Sequence, residues 1–173
     1  KFSTKALFDC FLVLSDKVFE MMVVGDNNLS RYDQVRYRNY SGILASFIGI
    51  FNVRSLTDKE DGIVKEYADA LQKRINLFVE KQCDLLSSSD LLIRENSKDI
   101  LSLELHPGAY NILFKTILEK LEVFENEYKE NKAYINPYIL EQIMTVIRII
   151  FERKEIQLII LSLKSVIDIF DKM

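Results

Sequence analysis

The chain has 173 residues, of which 49% are hydrophobic and 28% are charged. This composition is typical of a globular protein and excludes a disordered chain, which has too few apolar side chains to form a core. The net charge of −3 gives no general attraction for phosphate backbones, so nucleic acid is not an expected partner. With five Gly and two Pro, the sequence supplies few tight turns and favours long helices over an all-β fold.

Apolar residues at helical spacing predict a series of amphipathic helices along the chain. Their approximate bounds are residues 3–24, 31–51, 57–86, 90–105, 110–128, 138–153 and 154–171. The last two are apolar over a wide arc, which predicts that they are the most buried helices.

The predicted helix boundaries carry turn and cap residues. Residues 25–28, with sequence Gly-Asp-Asn-Asn, end the first helix, and three serines at 87–89 end the third, which opens with the capping-box pair Thr57 and Glu60. His106-Pro107-Gly108 marks a further boundary, because proline disfavours a helical residue before it. Asn136-Pro137 supplies a cap and a first-turn proline for the next helix.

Small residues form a stripe along the second predicted helix. Gly42, Ala45, Ser46 and Gly49 recur at helical spacing, and glycine costs about 1 kcal/mol relative to alanine inside a helix. Two such glycines predict a close approach by a neighbouring element.

Together these patterns predict an all-α fold and a single domain over residues 1–173. We expect helical hairpins stacked as an ARM/HEAT-like α-solenoid fragment, with an irregular helical bundle as the alternative. Because the chain begins at Lys1 and stops at Met173 within an amphipathic run, we expect it to be a segment of a larger protein.

Two stretches, residues 43–53 and 143–170, are apolar enough to raise the question of a membrane span. The first is shorter than the roughly 20 residues that a spanning helix needs, and charged residues recur in the second. Both are expected to be core helices, which predicts a soluble, cytoplasmic protein, or one held at membranes peripherally through its parent.

The sequence predicts no catalytic, cofactor-binding or metal site. His106 is the single histidine, and its place beside Pro107 favours a boundary role over catalysis. Cys10 and Cys83 show neither disulfide nor zinc spacing, so reduced thiols are expected. No Gly-x-Ser-x-Gly elbow or Gly-rich phosphate loop occurs.

Carboxylates are plentiful, but they lie on polar helix faces and at helix starts, where solvated roles are expected. They include Asp58, Glu60, Asp61, Glu119, Glu122, Glu125 and Glu127.

Residues 31–40 interleave bases with aromatics, a pattern that can serve RNA stacking. The same pattern fits a basic patch for a protein partner or a phosphorylated segment, or a solvated helix face. We favour the solvated face, because Tyr37 and Tyr40 belong to the predicted core stripe.

Two runs resemble the region that precedes the catalytic domain in neurofibromin and its fungal relatives, the large Ras GTPase-activating proteins that inhibit Ras and cyclic AMP signalling. The first spans residues 93–114, and the matching residues are Arg94, Asn96, Lys98, Asp99, Leu103, Glu104, Leu105, Pro107, Tyr110, Leu113 and Phe114. The second is Asn39-Tyr40-Ser41-Gly42-Ile43-Leu44-Ala45-Ser46. With the helices after Phe114, the resemblance covers residues 30–170. His106 departs from it, since the family has a small hydroxyl residue there, and a weaker side-chain cap is expected.

The resemblance implies a helical scaffold that flanks the catalytic domain, in a parent that dimerises. The family's arginine finger and its Phe-Leu-Arg run do not occur here, and the nearest similar run is Leu92-Ile93-Arg94. We therefore expect no enzyme activity, contacts with the rest of the parent and its dimer partner, and contact with Ras only through the parent. The alternative is an independent α-solenoid adaptor that binds a peptide or a partner helix.

Overall fold

A computed structural model describes residues 4–23, 30–50, 62–129, 137–153 and 168–169. Every regular element in these ranges is helical, which confirms the all-α fold. The α-helices are α1 (Thr4–Val23), α2 (Arg31–Phe47), α3 (Gly62–Leu85), α4 (Leu91–Asp99), α5 (Tyr110–Lys129) and α6 (Pro137–Glu152). Stacking of these helices as a solenoid stays a prediction.

Three short helical turns join or extend these helices. A 3-10 turn, Ile48–Ile50, follows α2 where the sequence predicts continuous α-helix to residue 51. A π-helix, Ile100–Glu104, continues α4 without a break, and a second 3-10 turn, Pro107–Ala109, leads into α5. The predicted single helix over residues 90–105 is therefore an α-helix with a wider last turn.

Several predicted features lie outside the described residues. They are the turn at residues 25–28, the capping box of Thr57 and Glu60, the Asn136 cap, and the helix over residues 154–171 apart from Asp168 and Ile169.

The core forms where α1 packs on α2 and α3, and where α3 packs on α5. Phe11, Phe78 and Phe114 are fully buried in it, and each such side chain contributes about 1.5–3 kcal/mol relative to exposure. Gln82 is also fully buried on α3, four residues after Phe78 and so on the same apolar face. Its Nε2 donates to the Tyr37 hydroxyl at 2.6 Å, so a hydrogen bond crosses the core between α3 and α2.

Ion pairs at the rim join the same helices. Arg74 of α3 pairs with Asp16 of α1 and donates to Ser15 Oγ at 2.9 Å. Lys120 of α5 donates to Asp84 of α3 at 2.5 Å. These side chains are partly exposed, so each pair contributes no more than about 1 kcal/mol.

Helix α6 buries a larger share of its described residues than any other α-helix, in agreement with the prediction made from its apolar arc. Ile139, Ile143 and Ile150 lie on the buried face, whereas Tyr138 and Met144 are 59% and 43% exposed. Part of the wide arc is therefore not covered. Among the described residues, no helix combines the length and the apolar character needed to cross a membrane.

Two buried serines, one in α4 and one in the π-helix that continues it, differ in whether the hydroxyl group is hydrogen-bonded. Ser97 and Ser102 are both fully buried, but Ser102 Oγ donates to the Lys98 carbonyl at 2.7 Å and Ser97 Oγ has no hydrogen-bond partner. We predict that Ser97→Ala raises the free energy of unfolding by about 0.5–1 kcal/mol, because an unsatisfied buried group is removed. The matched Ser102→Ala should lower it by about 1 kcal/mol.

Urea denaturation of the two variants measures this difference. Equal effects of the two substitutions would contradict the assignment of Ser97 as unsatisfied.

Candidate functional site

The run that resembles the Ras regulators, residues 93–114, covers most of α4, the π-helix, the turn into α5 and the start of α5. We call residues 100–109 the π-junction. The elements that position it, and the side chains that hold it, define the candidate site.

The loop that precedes α4 is held in place by hydrogen bonds. Asp90 Oδ1 accepts hydrogen bonds from the N–H groups of Leu92 at 2.8 Å and Ile93 at 3.3 Å, which caps the helix. Arg94 donates back to the carbonyls of Ser88 at 2.7 Å and Ser89 at 3.3 Å. The serine break predicted from the sequence is therefore a closed turn held by a cap and an arginine.

The π-helix adds one residue to the last turn of this helical run. The Leu105 N–H donates to the Ile100 carbonyl at 2.8 Å, five residues back rather than four. Ile100 and Leu101 are fully buried, and the element contacts α2, α3 and α6. Single π-turns of this kind occur frequently at functional sites.

His106 follows the π-helix in extended backbone and caps the next turn. Its Nδ1 accepts a hydrogen bond from the Gly108 N–H at 3.1 Å, ahead of Pro107 at the first position of the 3-10 turn. The boundary role predicted for His106 is confirmed. The imidazole nitrogen accepts the bond in place of the missing hydroxyl group, and the weaker cap expected from that replacement stays a prediction.

The small-residue stripe of α2 lies against the π-junction, which confirms the close approach predicted from it. The His106 N–H donates to the Ala45 carbonyl at 3.2 Å, and Ser46 Oγ donates to the Glu104 carbonyl at 3.4 Å. A Cβ atom on Gly49 would overlap the His106 ring, and one on Gly42 would overlap the Glu104 carboxylate. A side chain at either position would therefore require the group opposite it to move.

Beside Gly42, an ion pair closes the contact between α2 and the π-helix. Arg38 pairs with Glu104, and each side chain is about a quarter exposed. The pair borders a cleft of about 650 Å³ that Asn39, Ile43 and Phe47 also line.

Helix α6 reaches the π-junction through Arg153. Its Nη1 donates to the Ser102 and Leu103 carbonyls, each at 3.3 Å, and to the Tyr110 hydroxyl at 3.1 Å. Burial raises the pKa of Tyr110, and the charge of Arg153 opposes that shift. One guanidinium thus joins the π-helix, the start of α5 and the end of α6.

The structure separates the other candidate residues of the sequence from this site. Cys10 is exposed and Cys83 is buried in the core, both as free thiols. Burial raises the pKa of Cys83 to about 12, which keeps the thiol protonated at neutral pH. In the described ranges no group of His, Cys, Asp and Glu side chains could hold a metal ion.

The acidic residues of α5 lie on its wet face, as predicted. Glu119, Glu122 and Glu125 are exposed, and Glu119 is 3.7 Å from Lys115. Asp58, Glu60 and Asp61 lie outside the described residues, as does the side chain of Glu127.

The basic and aromatic residues of α2 divide between core and solvent. Tyr37 is buried, in agreement with the predicted stripe. The Arg36 guanidinium lies 5.6 Å from the centre of the Tyr32 ring and 5.7 Å from that of Tyr40. A hydrogen bond to Tyr40 raises the pKa of Arg36 and lowers that of Tyr40.

Sequence reasoning missed the roles of Arg153, Arg38 and Glu104. Arg153 lies about 50 residues after the carbonyls it contacts, and no local pattern indicates such a pairing. Glu104 lies in the run Leu103-Glu104-Leu105, which the resemblance to the family indicated and no local pattern did.

Comparison with known proteins places this arrangement in a family context. The chain is 33% identical over 150 residues to inhibitory regulator protein IRA2 of Saccharomyces cerevisiae, and 30% identical over 166 residues to inhibitory regulator protein IRA1 of the same yeast. Each match covers 83% of this chain. The chain is homologous to both inhibitory regulators.

This homology confirms the resemblance to fungal inhibitory regulators drawn from residues 39–46 and 93–114. The chain spans about 5% of the length of each of these relatives. No family model matches it, and no solved structure matches it.

Because of the contact between α2 and the π-junction, we expect substitution by alanine to cost more stability at Gly49 than at Gly42. We predict that Gly49→Ala lowers the free energy of unfolding by about 1–3 kcal/mol, because the new methyl group meets the His106 imidazole, whose Nδ1 accepts a hydrogen bond while the backbone N–H of the same residue donates another. Gly42→Ala should stay within about 1 kcal/mol of the wild type, because the Glu104 carboxylate can rotate away and alanine favours the helix.

Urea denaturation of both variants and of the double variant Gly49→Ala/His106→Ala checks this prediction. Removing the imidazole should restore most of the stability lost in Gly49→Ala. A double variant no more stable than Gly49→Ala would contradict the proposed overlap.

A second prediction concerns Arg153. Arg153→Met should lower the free energy of unfolding by about 1.5–3 kcal/mol, because three acceptors lose a charged donor. Arg148→Met, at an exposed position of the same helix, should change it by less than about 0.5 kcal/mol. Thermal and urea denaturation measure both values, and equal losses would show that Arg153 does not hold the junction.

Proposed function

We propose that the chain is a noncatalytic helical scaffold segment of a large Ras GTPase-activating inhibitory regulator, ahead of its catalytic domain. In this proposal the segment positions the catalytic domain or mediates contacts with a dimer partner and regulators, and it meets Ras only through the parent. Homology to two inhibitory regulator proteins over 83% of the chain supports the family.

One observation carries the scaffold role. The polar side chains of the family-like run hold the fold: Arg94 binds loop carbonyls, Glu104 pairs with Arg38 of α2, and His106 caps a turn. A reaction site needs polar groups aimed at a substrate instead. Here the groups are aimed at adjacent turns and at α2.

A scaffold of this kind would act through geometry. An arginine finger raises the rate of GTP hydrolysis about 10³- to 10⁵-fold by stabilising charge in the transition state. Such a residue is effective only when its domain is correctly placed. The π-junction, which ties α2, α4, α5 and α6 together, would supply the rigid body that such placement requires.

The second candidate function is that of an independent adaptor that binds a peptide or a partner helix. The observation in its favour is the outer surface of α2, where Tyr32, Val35 and Ile43 are more than half exposed. The two candidates share one feature, since neither needs a chemical step within this chain.

We predict that the purified chain does not accelerate GTP hydrolysis by Ras. A phosphate-release assay at equimolar and tenfold excess chain measures the single-turnover rate, with an active GTPase-activating domain as the positive control. The rate should equal that of Ras alone, because the chain carries neither an arginine-finger run nor a Phe-Leu-Arg run. Measurable stimulation would overturn the noncatalytic role.

A further inference from the structure

The outer face of α2 presents an apolar stripe to solvent. Tyr32, Val35, Asn39, Ile43 and Ser46 follow one another at intervals of three and four residues, so they share one side of the helix. Tyr32 is 71% exposed, Val35 53% and Ile43 55%. We call these five residues the α2 seam.

The α2 seam lies opposite the face that α2 uses in the core. Tyr37, Ser41, Leu44 and Ala45 are buried on the inner side. A helix with one buried face normally carries polar residues on the other. The seam instead exposes Tyr32, Val35 and Ile43 on that side, with Asn39 between them.

A cleft adjoins the C-terminal half of the seam. Asn39, Gly42, Ile43 and Ser46 line its α2 side, and Glu104 lines the other, with a volume of about 650 Å³. A helix lying along the seam could insert one large side chain here, in the way that buried anchor residues enter pockets at protein interfaces.

Charge distinguishes the occupants that would fit. Arg31, Arg36 and Arg38 flank the seam, against the carboxylates of Asp33 and Glu104, which lie in ion pairs with Arg36 and Arg38. Three arginines against two carboxylates leave one excess positive charge on this face of a chain whose net charge is −3. An isologous contact with a second copy would place the same arginines opposite one another, whereas an acidic helix would complement them.

We propose that the α2 seam and its cleft bind an acidic amphipathic helix of a partner protein. The apolar residues of that helix lie along Val35 and Ile43, one of them enters the cleft, and its flanking carboxylates meet Arg31 and Arg36. This surface supplies the partner contact of the proposed scaffold, and its biological setting rests on that proposed function.

Fluorescence anisotropy with designed peptides tests the proposal on the whole chain. The first probe is a labelled helical peptide of about three heptads, with Leu at the a and d positions and Glu at the e and g positions. The second probe has Lys in place of every Glu. The acidic peptide should bind saturably, and the basic peptide at least about tenfold more weakly.

Matched variants locate the binding surface. Val35→Glu should weaken the acidic peptide at least about tenfold, whereas Val123→Glu on α5 should leave it unchanged, although both valines are 53% exposed. Arg31→Glu should weaken the acidic peptide and strengthen the basic one. Circular dichroism of each variant checks that the helices are intact.

Three binding results would overturn the proposal: no saturable binding of the acidic peptide, equal or tighter binding of the basic one, or equal effects of Val35→Glu and Val123→Glu. A fourth is dimerisation of the wild-type chain, measured by sedimentation, that Val35→Glu abolishes. The last result would assign the seam to a second copy. Stimulation of Ras would overturn the noncatalytic role and leave these peptide results unaffected, so the two proposals fail separately.

Discussion

The hydrogen bond from the Leu105 N–H to the Ile100 carbonyl, one residue longer in register than an α-helical bond, is the constraint on which the rest of the structure depends. It widens the end of the α4 run, where the Ser102 and Leu103 carbonyls, which lack helical donors as at any helix end, accept hydrogen bonds from Arg153. The same turn lies so close to α2 that Gly42 and Gly49 face it without side chains. The π-helix, the glycines that face it and Arg153 therefore depend on one another for their packing.

Much of the fold follows from local patterns in the sequence. The serine break, the His-Pro-Gly boundary and the core position of Gln82 are each fixed by interactions within a few residues or by helical spacing. The glycine stripe of α2 also predicted a close neighbour, because glycine is disfavoured inside a helix unless its small size is used. The nature of that neighbour did not follow, since the stripe describes only one of the two surfaces.

The remaining features depend on contacts between distant residues. A π-helix of five residues differs too little from α-helical spacing to alter the apolar pattern, so residues 90–105 were predicted as one α-helix. Arg153 meets the π-helix only through the packing of α6. Tyr138 and Met144 of α6 stay exposed because an apolar arc indicates what a helix could bury, and not how much of the arc its neighbours cover.

These contacts give the homology to the inhibitory regulators a physical meaning, because the residues that resemble the family hold helices together. Native-state hydrogen exchange of the Leu105 and His106 amides tests this claim most directly. The account predicts that both amides exchange only through global unfolding, with the same opening free energy as the core amide of Ile117 in α5. Exchange of Leu105 and His106 through a local opening, while Ile117 stays protected, would contradict it.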